Sequence, residues 1–408
     1  MNDLLPTFLA KWQGDAPIYL LAAAVGMLGA AVLGFPVRWL AHRVGAIDIP
    51  GGRHLHLRPT PRLGGLAVLG GIVLAAVCGL AALVQRRPEM QEQLPSMLAI
   101  LGIAAGVCLL GARDDRRSLS PVAKLAGLGI AGLLLVCCGV QIEYFELPLL
   151  GKLALGPLAG LATIGWVLAC TNAVNLIDGV DGVGAGTSGV ACLALGLVAH
   201  GLGDPMAATM FLAIAGASLG FLAHNREPAR LFLGDSGSLT LGFLVAALSA
   251  QGCTKRATAL FLLAGLLALA IPLLDSTQAF VRRYRRAARE LGRGRWLAKL
   301  RATAIGDREH IHHRLLGQGH SHRRVARTLS LCTLVPGLSA LFLLPATHQG
   351  GLWFSAACIA SALVLWRLAS MPSVLKPTAD EAERELVLPS TPPRRSPSVA
   401  RERQHELV

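Results

Sequence analysis

Thr171-Asn172-Ala173-Val174-Asn175-Leu176-Ile177-Asp178-Gly179-Val180-Asp181-Gly182 stands between two apolar segments, 153–171 and 183–201, each long enough to cross a bilayer. Its two Asn, two Asp and two Gly set polar groups at a membrane edge. Ionisable groups there are costly unless they hold an ion or a polar ligand. Two carboxylates three residues apart, on a backbone that glycine lets turn tightly, suit a metal or a phosphorylated substrate. Helix caps in an ordinary polar turn would use the same residue types. The rest of the chain decides between the two.

Of the 408 residues, 53% are hydrophobic and 15% are charged. Soluble domains carry roughly 25% charged residues, so the composition is that of a membrane protein. A formal charge of +14 raises the question of nucleic acid, but no aromatic-rich basic module accompanies it. A basic face meeting anionic lipid and anionic substrates accounts for it better. Cys78, Cys108, Cys170 and Cys192 lie inside apolar runs, and with the pair Cys137-Cys138 they show no metal-type spacing. They read as small buried apolar residues. The N-terminus shows no basic stretch or cleavage site of a removable signal peptide.

Working outward, the apolar pattern gives an all-α polytopic membrane protein with about eleven transmembrane helices. They are 17–40, 63–84, 96–112, 121–140, 153–171, 183–201, 205–223, 236–253, 257–279, 328–345 and 351–369. Alternate connections hold Arg43, Arg53, Arg58, Arg62, Arg113, Arg116, Arg117, Arg226 and Arg230. The last of that set, Arg282 to Arg327, carries fourteen Arg or Lys against three acidic residues. The other connections hold only Arg86, Arg87, Lys152, Lys255 and Arg256. By the positive-inside rule the rich side is cytoplasmic, with the N-terminus outside and the C-terminus inside. Residues 1–370 form the membrane domain, with cytoplasmic loops 41–62, 111–121, 171–183, 223–236 and 280–327. Residues 371–408, rich in Pro, Ser and charge, read as a disordered cytoplasmic tail.

Each of those loops carries an unusual polar cluster. Arg53-His54-Leu55-His56-Leu57-Arg58-Pro59-Thr60-Pro61-Arg62 sets basic side chains beside a proline-fixed turn, and Gly64-Gly65 lets backbone approach a ligand. Positive-inside anchoring is the plain alternative. In Arg113-Asp114-Asp115-Arg116-Arg117, neighbouring carboxylates either divide the work of base and metal partner or pair with the flanking Arg. Lys124 reaches a phosphate or snorkels. Asp235, between Gly234 and Ser236 and following Asn225 and Phe232, is a magnesium ligand or an N-cap. Asp275 reads as a helix-packing or supporting group. His310, His312 and His313 lack the partners of a zinc site and fit better near a pyrophosphate, a surface His cluster being the alternative. Helix caps scattered at random would populate both faces, whereas these clusters all fall on one.

With these residues in hand, the chain resembles the polyprenyl-phosphate N-acetylhexosamine-1-phosphate transferase family. That family includes undecaprenyl-phosphate GlcNAc-1-phosphate transferases and phospho-MurNAc-pentapeptide transferase. The resemblance covers residues 40–325 and rests on five motifs in order: RxxHxxPTPRLGG (53–65), DDR (114–116), NxxNLIDGxDG (172–182), FLGDSGS (232–238) and DREHIHHRL (307–315). It implies magnesium-dependent transfer (with Mn2+ as a substitute) of a sugar-1-phosphate from a UDP-sugar to undecaprenyl phosphate, releasing UMP. It implies Asp235 and Asn175 as metal ligands and Asp114, with Asp115 beside it, as the group acting on the polyprenyl phosphate. Asp178, Asp181, Asn225 and Phe232 fall in the nucleotide pocket. His310, His312 and His313 lie near the sugar and pyrophosphate, and His56, Arg58 and Arg62 contact substrate phosphate. The implied location is the bacterial plasma (inner) membrane, multi-pass, with a cytoplasmic active site. A homodimer stays open.

The chain departs from the family at His54, where Lys is common, and at Lys124-Leu125-Ala126-Gly127-Leu128, where KLxxQ is common. His310-Ile311-His312-His313 follows the GlcNAc branch, which points to O-antigen, teichoic-acid or other envelope-glycan initiation. The pentapeptide-transferase activity is the second reading. A transporter, from another class, would place its polar groups near mid-membrane in broken helices, usually with repeats. A lipid-binding scaffold explains the basic loop but not the clustered carboxylates.

Overall fold

In a computed structural model, residues 4–49, 59–147, 151–255, 269–291, 310–339 and 363 are described. All belong to a unit running from Met1 to Pro372. Long apolar runs form helices because a backbone in lipid must satisfy its N–H and C=O groups internally. They are α1 (Leu4–Val44), α2 (Gly64–Arg86), α3 (Leu94–Arg116), α4 (Pro121–Cys137), α5 (Ala159–Ile177), α6 (Val183–Gly201), α7 (Pro205–Asn225) and α8 (Gly234–Lys255). After residues 256–268 come α9 (Ala270–Leu291), α10 (Ile311–Gly317) and α11 (His322–Ser339).

Among the described residues six helices are long and apolar enough to cross a membrane, in α1, α2, α3, α5, α6 and α7. The chain is a multi-pass membrane protein. Helix α4 is apolar but shorter. Helix α8 is the centre of the bundle: Leu239, Leu241, Phe243, Leu244, Val245 and Leu248 are fully buried between α3, α5 and α2. Wrapped by protein, it tolerates Ser236, Thr240 and Ser249, whose hydroxyls bond carbonyls three or four residues back along the chain. The expected span 351–369 and the tail fall outside the described residues, apart from Leu363.

Two sequence expectations change. The span expected at 257–279 does not end at 279, because α9 continues to Leu291 through Arg282, Arg283, Arg285, Arg286 and Arg289. Arg and Ala are good helix formers and no Gly or Pro interrupts them, so part of the basic loop is helical. The fold also holds two short antiparallel pairs, β1 (Ile47–Asp48) with β2 (Thr60–Pro61) and β3 (Tyr144–Leu147) with β4 (Gly151–Ala154). Four residues or fewer per strand is too short for a period-two pattern to register.

The connections after α1, α3, α5 and α7 meet at one end of the bundle. Phe232 N–H donates to Pro61 O, and Gly64 and Gly65 N–H donate to the carbonyls of Phe232 and Leu233. Arg116 Nε donates to Val44 O. The opposite end is tied by Arg87 to Asp15 at 2.9 Å and by Tyr19 to His200 at 3.1 Å. Close helix contact rests on small residues. A methyl on Gly216 or Gly220 of α7 would strike the carbonyl oxygens of Ala23 or Met27 of α1, at 2.0 and 2.1 Å.

Gly64 and Gly65, expected to let a ligand approach, instead let the start of α2 lie on the start of α8. A Cβ on Gly65 would stand 2.1 Å from the carbonyl carbon of Ser236. Gly65→Ala therefore lowers the thermal-unfolding midpoint of the detergent-solubilised protein, by a loss of about 1–3 kcal/mol. Gly102→Ala in α3, where a new Cβ meets nothing within 4 Å, serves as the control and leaves the midpoint unchanged or higher. Equal midpoints for the two variants would contradict this packing.

Candidate active site

Asp114 and Asp115 lie in the last turn of α3 rather than in the loop after it, so their carboxylates have the fixed direction of a helix. They point to different tasks. Asp115 is 8% exposed, and its two oxygens accept from the backbone N–H groups of Asp235 (2.8 Å) and Ser236 (3.0 Å). It thus caps α8 from a neighbouring helix, placing negative charge where the helix dipole favours it. Gly234, at φ +70°, and Gly111 keep the approach clear. Their missing Cβ atoms would fall 2.5 Å from Asp115 Oδ2 and 2.4 Å from Asp235 O.

Asp114 faces the other way. Its Oδ1 accepts from Leu119 N–H, and its Oδ2 is 2.8 Å from Lys124 Nζ. Lys124 also bonds Asp235 Oδ2, so one ammonium bridges two carboxylates from helices far apart in sequence. Ser120 caps α4 and Pro121 starts it, which sets Lys124 one turn in. Asn175, near the end of α5, completes the cluster: Nδ2 lies 3.0 Å from Asp235 Oδ1 and 2.9 Å from Ser238 Oγ. Arg62 ion-pairs with Asp48 at 2.8 Å, and its charge also acts on Asp115 and Asp235.

Asp178 ends α5 and accepts from Gly184 N–H at the start of α6. Burial pushes its carboxyl well above the usual carboxylate range, and Asp235, Asp115 and Asp181 push it the same way. A group of carboxylates that repel one another around an amide and a lysine is a site for added positive charge. Asp181 Oδ2 accepts from Ala229 N–H at 2.9 Å. Asn225, 2% exposed, receives Gly182 N–H at 3.1 Å and donates to Leu231 O at 3.2 Å. Its amide locks the 178–182 turn to the 226–233 loop. Phe232 holds that loop against Pro61 and Gly64 through its backbone.

His310 sits before α10 with Nδ1 2.8 Å from Asp275 Oδ2, while Asp275 Oδ1 accepts from Ile311 N–H at 2.8 Å. Asp275, 1% exposed, thus caps α10 and orients the imidazole. With Nδ1–H donated to the carboxylate, Nε2 is the acceptor, 3.3 Å from Arg283 Nη2. Ile311 and Val325 pack with Ile177, Val180 and Val183, which seats α10 on the turn that holds Asp178 and Asp181. His312 and His313 belong to α10. His56 and Arg58 lie outside the described residues.

Four partners escape a linear reading: Lys124 as a bridge, Ser238 beside Asn175, Asp48 on Arg62, and Asp275 on His310. The one usable signal is that each lies at the same expected membrane boundary as its partner.

The family described as glycosyl transferase family 4 matches residues 97–252, the stretch from α3 to α8 that contains Asp114, Asn175, Asp178, Asn225 and Asp235. A probable undecaprenyl-phosphate N-acetylglucosaminyl 1-phosphate transferase of Bacillus subtilis is 32% identical over 338 residues, 82% of this chain and 87% of that protein. A decaprenyl-phosphate N-acetylglucosaminephosphotransferase of Mycobacterium tuberculosis is 35% identical over 337 residues, 76% of this chain and 79% of its own. A phospho-N-acetylmuramoyl-pentapeptide-transferase of Trichormus variabilis is 30% identical over 356 residues, 82% of this chain and 89% of its own.

The Asp115 clamp makes a stability prediction. Asp115→Ala leaves two buried N–H groups without acceptors, a loss on the order of 3 kcal/mol. Asp115→Asn, which keeps one acceptor oxygen, loses roughly half as much. Unfolding midpoints in mixed detergent check the order wild type, Asn, Ala. An Ala variant as stable as wild type would rule out the clamp.

Proposed function

The chain belongs to glycosyl transferase family 4, and from that premise we propose that it transfers an N-acetylhexosamine-1-phosphate, GlcNAc-1-phosphate foremost, from a UDP-sugar to undecaprenyl phosphate. Across the reaction, the phosphoanhydride bond between UMP and the sugar-1-phosphate breaks. A new one forms to an oxygen of the lipid phosphate, and UMP leaves. The observation that carries this reading is the joining of Asp114, Asp235 and Asn175 around Lys124 at one end of the bundle. A membrane boundary is where a soluble nucleotide can meet a phosphate anchored in lipid. The basic connections at that end favour the cytoplasmic face of a bacterial plasma membrane. The product would start a lipid-linked envelope glycan.

Phosphoryl transfer asks a protein mainly for alignment and charge neutralisation. The donor set suits magnesium, which takes one or two carboxylates and completes its shell with water and phosphate oxygens. Asp235 and Asn175 would hold it, with Asp114 beside them. When bound, the ion would offset negative charge on the pyrophosphate.

The chain's own residues do the rest. Lys124, placed between Asp114 and Asp235, moves its charge onto a phosphate oxygen when substrate enters. Asp114 orients the acceptor phosphate. Asp115 takes the role of a positioning residue, since both its oxygens serve the α8 N-terminus. Asp178 and Asp181, on the turn locked by Asn225, face the nucleotide. His310, oriented by Asp275, holds Arg283 through Nε2, and the Arg283 guanidinium supplies positive charge for the sugar pyrophosphate.

Purified protein with magnesium, radiolabelled UDP-GlcNAc and undecaprenyl phosphate should yield a lipid-soluble sugar pyrophosphate and UMP. EDTA should stop the reaction and Mg2+ or Mn2+ restore it. Asp235→Asn and Asp114→Asn should each lower kcat by about 10²-fold or more. UDP-MurNAc-pentapeptide is the second donor; product from it alone would keep the chemistry and change the sugar. Folded protein that moves label from no UDP-sugar would overturn the reading.

A further inference from the structure

Beyond the carboxylate cluster, a cavity of about 830 Å³ opens between α6, α7 and α11. It has two unlike ends. Its floor is apolar, lined by Val190, Leu219, Leu222 and Leu331. Its mouth, at the helix ends, holds Arg226, Arg230, Arg323 and Arg327 with Glu227 and Asp181. The acidic groups are already engaged. Glu227 accepts from Arg323 N–H at 2.9 Å and stands 3.7 Å from His322, and Asp181 accepts from Ala229 N–H. Among the described residues, Arg226, Arg230 and Arg327 are exposed and form no ion pair. Three exposed guanidinium groups thus line one mouth, where the two carboxylates are held by other partners.

The floor says which kind of anion fits. Helix α7 is buried along nearly its whole length, and Leu219 and Ala223, one turn apart, are its exposed positions. Both line this cavity. Leu331 is 64% exposed beside them. In a membrane protein such apolar exposure faces acyl chains, so the groove opens sideways into lipid while its mouth lies at the headgroup level. A free phosphate or a nucleotide would satisfy the arginines and leave the floor unused. An amphiphile with a phosphate headgroup satisfies both.

We propose that this groove is a binding site for an anionic phospholipid of the surrounding membrane, its phosphate on Arg226, Arg230 and Arg327 and one acyl chain along Leu219, Ala223 and Leu331. None of Asp114, Lys124 and Asp235 lines the groove, which shares only Asp181 with the residues proposed to face the nucleotide, and the proposal does not rest on the transferase reading. Its headgroup end borders Asp181 and Gly182, so a seated lipid also braces the turn that Asn225 locks.

Native mass spectrometry of the full chain in detergent tests it, with phosphatidylglycerol, phosphatidylcholine, inorganic phosphate and UMP as probes. Wild type should hold phosphatidylglycerol about tenfold more tightly than phosphatidylcholine. The combined change Arg226→Gln, Arg230→Gln, Arg327→Gln should remove that preference. The charge-matched change Arg285→Gln, Arg286→Gln, Arg289→Gln in α9 should keep it. Ala223→Trp, which fills the floor and leaves every arginine, should weaken binding of both lipids and serves if the triple variant fails to fold. Equal binding of the two lipids by wild type, or equal loss in both triple variants, would overturn the proposal. So would displacement of the lipid by inorganic phosphate or UMP, which would mark a soluble-anion site.

Discussion

Both oxygens of a single buried carboxylate, Asp115, hold the start of α8, and most of the candidate site hangs on that link. Asp115 belongs to α3, so its grip on the Asp235 and Ser236 amides fixes two helices against each other at the end where the functional groups collect. Once α8 is held there, Asp235 can reach Lys124 on α4 and Asn175 on α5, and Ser238 lies one turn further along to meet Asn175. The clamp works because nothing crowds it. Gly65, Gly111 and Gly234 leave room for backbone contact that any side chain would block. Membrane helices gain little from apolar burial against one another, so close backbone approach and interhelical hydrogen bonds carry much of the specificity.

The same economy appears in the loops. Asn225 bonds two backbone partners, one through each end of its amide, Asp181 accepts from the loop opposite it, and Asp275 serves both an imidazole and a helix start. Polar residues at a membrane boundary are dear to bury, so those present tend to satisfy several groups at once. Asp114, Asp235 and Lys124 differ, being joined to one another side chain to side chain. Their arrangement is two carboxylates around one ammonium with the Asn175 amide alongside.

Family membership and geometry bear on different questions. Kinship with polyprenyl-phosphate transferases across more than three quarters of the chain identifies the kind of protein. The geometry separates groups that share a motif: Asp114 from Asp115, and Asn175 from Asn225. In each pair one member joins the side-chain cluster around Lys124 and Asp235, and the other bonds backbone groups of the frame. The arginine-rich groove between α6, α7 and α11 belongs to neither set, and its apolar floor ties it to the bilayer instead.

Sequence by itself determined the membrane class, the apolar helices, the one basic end and the five ordered motifs, because hydropathy and charge are local properties that lipid enforces residue by residue. It placed Asn175, Asp178 and Asp235 near helix ends for the same reason. It could not tell that α9 runs on through the arginines, since a basic helix and a basic loop share a composition. Nor could it assign Gly64 and Gly65 to helix packing rather than to a ligand, because a missing side chain does not say what comes close. Which carboxylate is spent and which is free, that Lys124 bridges Asp114 and Asp235, and that Asp275 holds His310 were decided by tertiary structure alone. Those are distances between helices, fixed by how small residues let backbones meet, and no spacing along the chain encodes them.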